Sequence, residues 1–177
     1  MTDIHVGFAP DEQPEELNLT RFRATLQRLL DGPNVPDMLV LGKGLGVGIL
    51  SAALKKGMLD DAGYARMIAT TTKLNTPGPD LAALPGVHAL TDVTGFGLAG
   101  HALELARGSG CDVAIDWPAV PLHAGTRELA AQGFVTGASN RNWAGYGERV
   151  VLADGFAAED RALLTDPQTS GGLLVSC

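Results

Sequence analysis

Between Val87 and His101 the chain reads as one strand–turn–helix unit whose strand ends in a carboxylate. Val87, Ala89 and Leu90 form a short apolar run, Asp92 closes it, Gly95 and Gly97 space a turn, and a helical pattern follows with Leu98, Ala102 and Leu105 on one face. This order sets an acid beside the backbone N–H groups that open a helix, where the dipole is positive and anions are attracted. A carboxylate in that place can hold Mg²⁺, which grips phosphate oxygens in turn. Asp at such a turn also serves as a cap or turn former by bonding its own backbone. The local chemistry leaves both roles for Asp92 open.

The rest of the chain supplies further units of the same kind. Met38–Leu41 reads as a buried strand, Gly42–Gly48 as a glycine-spaced turn and Ile49–Lys56 as a helix. The glycines follow Lys43 and lead into no Gly-Lys-Ser/Thr, so neither standard nucleotide fingerprint is present. Close backbone packing is the preferred use of these glycines, with phosphate contact as the alternative. Asp60–Leu74 is a second helix, with Met67 and Ile68 inward and Arg66 and Lys73 outward, broken by Asn75–Pro79. The first helical unit after Asp92 is placed at Leu98–Arg107, stopped by Gly108. Asp112–Asp116 alternates as a strand, with Val113 and Ile115 on one side. Thr126–Gln132 reads as a short helix, Gly133–Gly147 as a long irregular loop, Asp160–Leu164 as a helical turn and Leu173–Val175 as a strand. Strands alternating with helices predict an α/β or α+β layered domain with helices on a mixed sheet.

The N-terminal stretch differs. Residues 1–17 are polar and acidic with Pro10 and Pro14 and are expected to lack order. Asn18 or Thr20 would cap a helix bearing Phe22, Leu26, Leu29 and Leu30, ended by Asp31-Gly32-Pro33. The 177 residues carry a formal charge of −7, which argues against a nucleic-acid binder. No apolar run is long enough to cross a membrane, and the N-terminus lacks a signal-peptide pattern, so a cytoplasmic location is expected. Cys111 and Cys177 make no disulfide framework. His101 reads as a helix-surface or core-edge residue, since no second His or Cys stands at ligand spacing.

Four blocks carry a family resemblance: Leu39–Leu50, Thr91–His101, Asn140–Gly147 and Leu164–Leu174. In this order they closely resemble the selenophosphate synthetases (selenide, water dikinases), within the aminoimidazole ribonucleotide synthetase-like superfamily. The resemblance divides the chain into residues 1–36, which do not match, and residues 37–177, which resemble an incomplete C-terminal domain of that family. It implies an α+β domain of the superfamily's C-terminal type, a homodimer, and ATP and selenide as substrates with Mg²⁺ required. By the same resemblance Asp92 is the one metal-binding Asp that this domain contributes.

The family's Gly-rich segment, its reactive Cys or selenocysteine with a nearby Lys, and its other metal-binding Asp residues have no counterpart here. The isolated chain is therefore expected to be inactive, with no catalytic residue assigned. Gly42 and Gly44 replace the Thr and Pro usual around Lys43, which loosens that turn. Lys43, Arg141, Asp166, Thr169 and Ser170 are candidates whose roles stay open, with a structural turn role favoured for Asp166. The alternative function is a non-catalytic dimerisation or small-ligand-binding module built on the same domain.

Overall fold

The computed structural model describes His5–Val6 and residues 38–177. Its sheet has the strand order β1 (His5–Val6), β2 (Met38–Leu41), β4 (Leu173–Ser176), β3 (Ala89–Asp92). β1 runs parallel to β2, while β4 is antiparallel to both of its neighbours, so the sheet is mixed as expected. Of residues 1–17 only His5 and Val6 are described, as β1; the rest of that stretch, expected to lack order, and the expected Phe22–Leu30 helix lie outside the described residues.

Period-two alternation decides what each face of the sheet buries. Leu39 and Leu41 of β2 and Leu174 of β4 join Val93, Leu98, Ala99 and Leu164 in one core cluster. On the opposite face Val40 meets Leu84, Val87 and Cys177. The central position of β4 explains why Leu174 and Val175 are both buried, and why this strand reads as a continuous apolar run.

Seven α-helices surround the sheet among the described residues: α1 (Val47–Lys55), α2 (Asp61–Thr72), α3 (Gly78–Ala82), α4 (Gly97–Ser109), α5 (Thr126–Ala131), α6 (Gly137–Tyr146) and α7 (Ala158–Leu164). α1 is buried on two sides. Val47 and Leu50 pack with Met67 of α2, and Ile49 packs with Ala130 of α5 and Leu163 of α7. α2 starts at Asp60, whose carboxylate accepts from Gly63 N at 2.7 Å, a cap worth about 1 kcal/mol.

Several expectations are corrected. Ile68 is 40% exposed while Met67 is buried, because α2 presents only a narrow stripe to α1. Arg66, expected outside, is half-buried. α3 forms within the stretch read as a break, since prolines in a first turn lack only an N–H that would be unpaired anyway. α4 runs past Gly108 and stops at Gly110, which takes the left-handed conformation at φ 64°. Asp112–Asp116 is not a strand. Its alternation correctly predicts that Val113 and Ile115 turn toward the core. Periodicity reports faces, however, and no strand lies alongside to pair with it among the described residues. The supposed loop Gly133–Gly147 contains α6, which starts at Thr136, whose hydroxyl accepts from Ser139 N at 3.1 Å.

Leu163 is fully buried where α1, α5 and α7 meet. Leu163→Ala should lower unfolding free energy by about 2–5 kcal/mol through lost burial and a cavity. Urea unfolding of the two proteins measures this, and a loss below about 1 kcal/mol would show that the junction collapses freely.

Candidate functional site

The α1 N-terminus shows how the distant sequence blocks come together. Its first amides have no intrahelical acceptor and need one from elsewhere. Asp166 Oδ2 accepts from Gly48 N at 2.9 Å and Ile49 N at 3.4 Å. Gln168 Oε1 accepts from Gly46 N and Val47 N, both at 3.2 Å. Gln168 Nε2 donates to Asp166 Oδ2 at 2.9 Å, so the two side chains brace each other. At Gly48 a Cβ would collide with the Asp166 carboxylate, and this close approach is why glycine stands there. The preferred reading of the glycine turn, close packing, is thus correct, and the protein's own carboxylate holds the place where a phosphate would sit on α1.

The same segment fixes the turn after Asp92. Gln168 N donates to Thr94 O, and Val93 N donates to Gly172 O, both at 2.9 Å. Gly97 adopts φ 70°, and a Cβ there would lie 2.7 Å from the Thr165 backbone. From α6, Asn142 Nδ2 donates to Gly95 O at 2.8 Å and Thr165 O at 3.1 Å. Tyr146 donates from its hydroxyl to Phe96 O at 2.6 Å. Burial pushes the Tyr146 hydroxyl up to about 12, so it stays a neutral donor. Three of the four sequence blocks therefore meet around the turn that carries Asp92, and the fourth is capped by the same residues.

Asp92 is exposed at the end of β3, opposite Leu173 in the register. Lys43 lies within electrostatic reach: burial and the neighbouring Lys73 lower its pKa, and Asp92 raises it. Lys43 Nζ donates to Lys73 O and Ser170 O, each at 2.6 Å, and to Thr70 O at 3.4 Å. It ties the β2–α1 turn to the carbonyl end of α2, where a cation is favoured. Ser170 takes a left-handed φ of 50°, a strained conformation for a residue with a side chain.

Thr169 is exposed near Lys43's partner Ser170, and Arg141 is exposed on α6. His101 is buried, with Nε2 3.1 Å from Thr94 Oγ1 and Nδ1 3.0 Å from Glu104, so it is a core-edge residue and not a surface one. Both cysteines are free, Cys111 exposed and Cys177 buried. An open hollow of about 430 Å³ lined by Arg107, Cys111, Asp112 and Arg149 does not include Asp92.

Among the described residues no group of three or more His, Cys, Asp or Glu side chains could hold a metal ion. Asp92 fits Mg²⁺ as a single ligand whose partners would be phosphate oxygens and water. Sequence reasoning singled out Asp92 and missed the Asp166–Gln168 brace and the Asn142 and Tyr146 ties. The only signal for them was a polar side chain in each of these blocks with no local partner to satisfy it.

Strand-end acid, glycine turn and doubly braced helix start define an α+β domain, and the chain belongs to the family described as AIR synthase related protein, C-terminal domain, which matches residues 35–177. Its relatives narrow the branch. The chain is 69% identical over 141 residues to a selenide, water dikinase of Burkholderia pseudomallei (strain K96243), covering 80% of this chain and 40% of that protein. It is 59% identical over 146 residues to one of Dechloromonas aromatica (strain RCB), covering 82% and 42%. A selenide, water dikinase of Rhizobium meliloti (strain 1021) is 56% identical with the same coverage. The chain thus spans about two fifths of the length of these relatives.

Burial raises the Asp166 carboxyl to about 7, against the lowering by its bonds from Gln168, Gly48 and Ile49. Its folded value exceeds its unfolded value of 3.8, so between these limits the native state holds a proton that the unfolded chain releases. Stability from this group is therefore full below about pH 4 and is lost as pH rises through about 7. Urea midpoints measured across that window should fall with pH in the native sequence, and Asp166→Asn should flatten this part of the slope. A slope identical in both proteins would show that Asp166 is already ionised at the low-pH end. Separately, Gly97→Ala should destabilise by about 1–3 kcal/mol, since the new Cβ meets both a disfavoured φ and the Thr165 backbone.

Proposed function

We propose that this chain is the C-terminal-domain part of a selenide, water dikinase, which forms selenophosphate from selenide, water and ATP and releases AMP and phosphate. The observation that carries this reading is the exposed Asp92 on a turn clamped by the Leu164–Leu174 segment, in a chain 69% identical to an enzyme of that name. Asp92 is the residue that would hold Mg²⁺. When bound, the ion neutralises charge on the phosphates during transfer.

The chain's own residues supply position. The bonds from Gln168 N and Val93 N prevent the turn from moving relative to β4. Asn142 and Tyr146 bind the Gly95 and Phe96 carbonyls and so fix the turn that follows Asp92. Lys43 sets a positive charge within electrostatic reach of Asp92. Since one carboxylate is a fraction of a Mg-phosphate site, the reading assigns the remaining ligands to the part of the enzyme that this region does not match. The homodimer and the cytoplasmic location implied by the resemblance belong to the same proposal.

The test transplants residues 37–177 into the corresponding region of the Burkholderia pseudomallei relative and follows AMP formation. Asp92→Asn in that chimera should lower turnover about a hundredfold or more while leaving the thermal midpoint nearly unchanged. Undiminished turnover would remove Asp92 from the metal site. Calorimetric titration of Mg-ATP into the chain alone should show no saturable heat; tight binding there would assign a complete nucleotide site to this domain.

A further inference from the structure

Behind the Asp92 turn lies a buried side chain, His101, that neither the clamp from the Leu164–Leu174 segment nor the proposed reaction uses. We infer that His101 is a positioning residue for the Asp92 carboxylate: its Nε2 accepts the Thr94 hydroxyl hydrogen and locks the turn from the helix side, while Glu104 fixes the tautomer of the ring. The inference rests on the reading of Asp92 as the residue that would hold Mg²⁺.

The ring is placed by α4, in whose second turn His101 is only 6% exposed. Burying an imidazole is costly unless its nitrogens meet polar groups, and both do. Nε2 lies 3.1 Å from Thr94 Oγ1, and Nδ1 lies 3.0 Å from Glu104 Oε2, three residues along the same helix. The second contact is bent away from the line of a full hydrogen bond, so it orients the ring more than it binds it. The Phe96 ring adds a third contact, its centroid 6.1 Å from that of the imidazole. An apolar side chain here would pack on the core as well, but would leave the Thr94 hydroxyl free to turn.

The partners decide where the ring hydrogen sits. A carboxylate can only accept, and two bare acceptors 3.0 Å apart repel, so the neutral ring carries its hydrogen on Nδ1. Nε2 is then bare, and the Thr94 hydroxyl donates to it. The Thr94 backbone is held as well: its carbonyl accepts from Gly97 N at 3.1 Å and from Gln168 N at 2.9 Å. Thr94 is thus fixed through backbone and side chain, two residues from Asp92 with the fully buried Val93 between them. Because its hydrogen is committed to the ring, Thr94 Oγ1 is left toward any ligand as an acceptor, as the Asp92 carboxylate is.

Two measurements test this. In the ¹⁵N-labelled chain at about pH 8, where an ordinary imidazole is neutral, the His101 side-chain resonances should report a hydrogen on Nδ1 and a bare Nε2. Glu104→Ala should release this preference and let both tautomers appear. A hydrogen on Nε2 in the native chain, alone or together with one on Nδ1, overturns the inference. The second measurement uses the chimera and reads the Mg²⁺ concentration that gives half-maximal AMP formation. Thr94→Val and His101→Phe should each raise it about tenfold, as for loss of one hydrogen bond, with turnover at saturating Mg²⁺ changed less than about threefold. Thr94→Ser keeps a hydroxyl and His101→Gln keeps an acceptor, so both should stay within about twofold of the parent. The double variant should be no worse than the worse single one, because both changes remove the same contact.

An unchanged Mg²⁺ requirement, additive effects in the double variant, or a loss in Thr94→Ser as deep as in Thr94→Val assigns the contact to folding alone and overturns the inference. If Thr94→Val or His101→Phe does not fold, the tautomer in the native chain decides instead. The two possible failures are distinguishable. An undiminished Asp92→Asn chimera removes the metal reading and this inference with it. A crippled Asp92→Asn chimera, with an unchanged Mg²⁺ requirement in the Thr94 and His101 variants, removes this inference alone.

Discussion

The free amides at the start of α1 are the constraint on which the rest of the structure depends. A helix buried on two sides cannot leave these N–H groups to water, and nothing in its own N-cap satisfies them: Gly46 has no side chain. The acceptors come from Asp166 and Gln168, more than a hundred residues later in the chain. Burying a carboxylate is costly, and the cost is tolerable here because the charge or its proton sits among three donors at the positive end of a helix. One local requirement thus enforces long-range closure of the domain.

That closure reaches Asp92 through the backbone. The chain that brings Asp166 and Gln168 under α1 continues through Ser170 and Gly172 into β4, the central strand. Gln168 N and Gly172 O bond the Val93–Thr94 turn directly, so the carboxylate at the end of β3 inherits its position from the helix cap. Lys43 closes the loop from the opposite side by joining the β2–α1 turn to Ser170 and to the end of α2. The strained φ of Ser170 is sustained because both sides of this segment are fixed. Side chains that never approach a ligand therefore determine where one could bind.

The legible part of this architecture was the part set by short-range rules. The β2, β3 and β4 strands, the helix beginning around Asp60 and the strand-end acid each follow from apolar spacing and turn chemistry within a few residues. The illegible part was set by tertiary bonds. α6 is rich in Gly, Ser and Asn and reads as a loop, yet Ser139 and Asn142 satisfy their polar groups on Ala162, Thr165 and Gly95, and this replaces the competition such residues normally offer to their own helix. Val113 and Ile115 show the converse, with correct faces and no ladder, because a pairing partner is not encoded in the segment that pairs. Asp166 was read as a turn residue, and its true partner, the α1 N-terminus, lay in another block of the sequence.

The arrangement also decides which groups around the β2–α1 and β3–α4 turns are left free. The buried α1 start is filled by the chain's own carboxylate, and Lys43 beside it is occupied by three carbonyls. What remains outward at the turn is the carboxylate of Asp92, within electrostatic reach of a cation that is bound elsewhere. A lone outward carboxylate repels a bare phosphate; on the proposed reading it would meet phosphate oxygens only through a metal ion, which reverses the local sign. The same Asp166 that closes the fold occupies the α1 start, so the amides of that helix are already satisfied from within the chain.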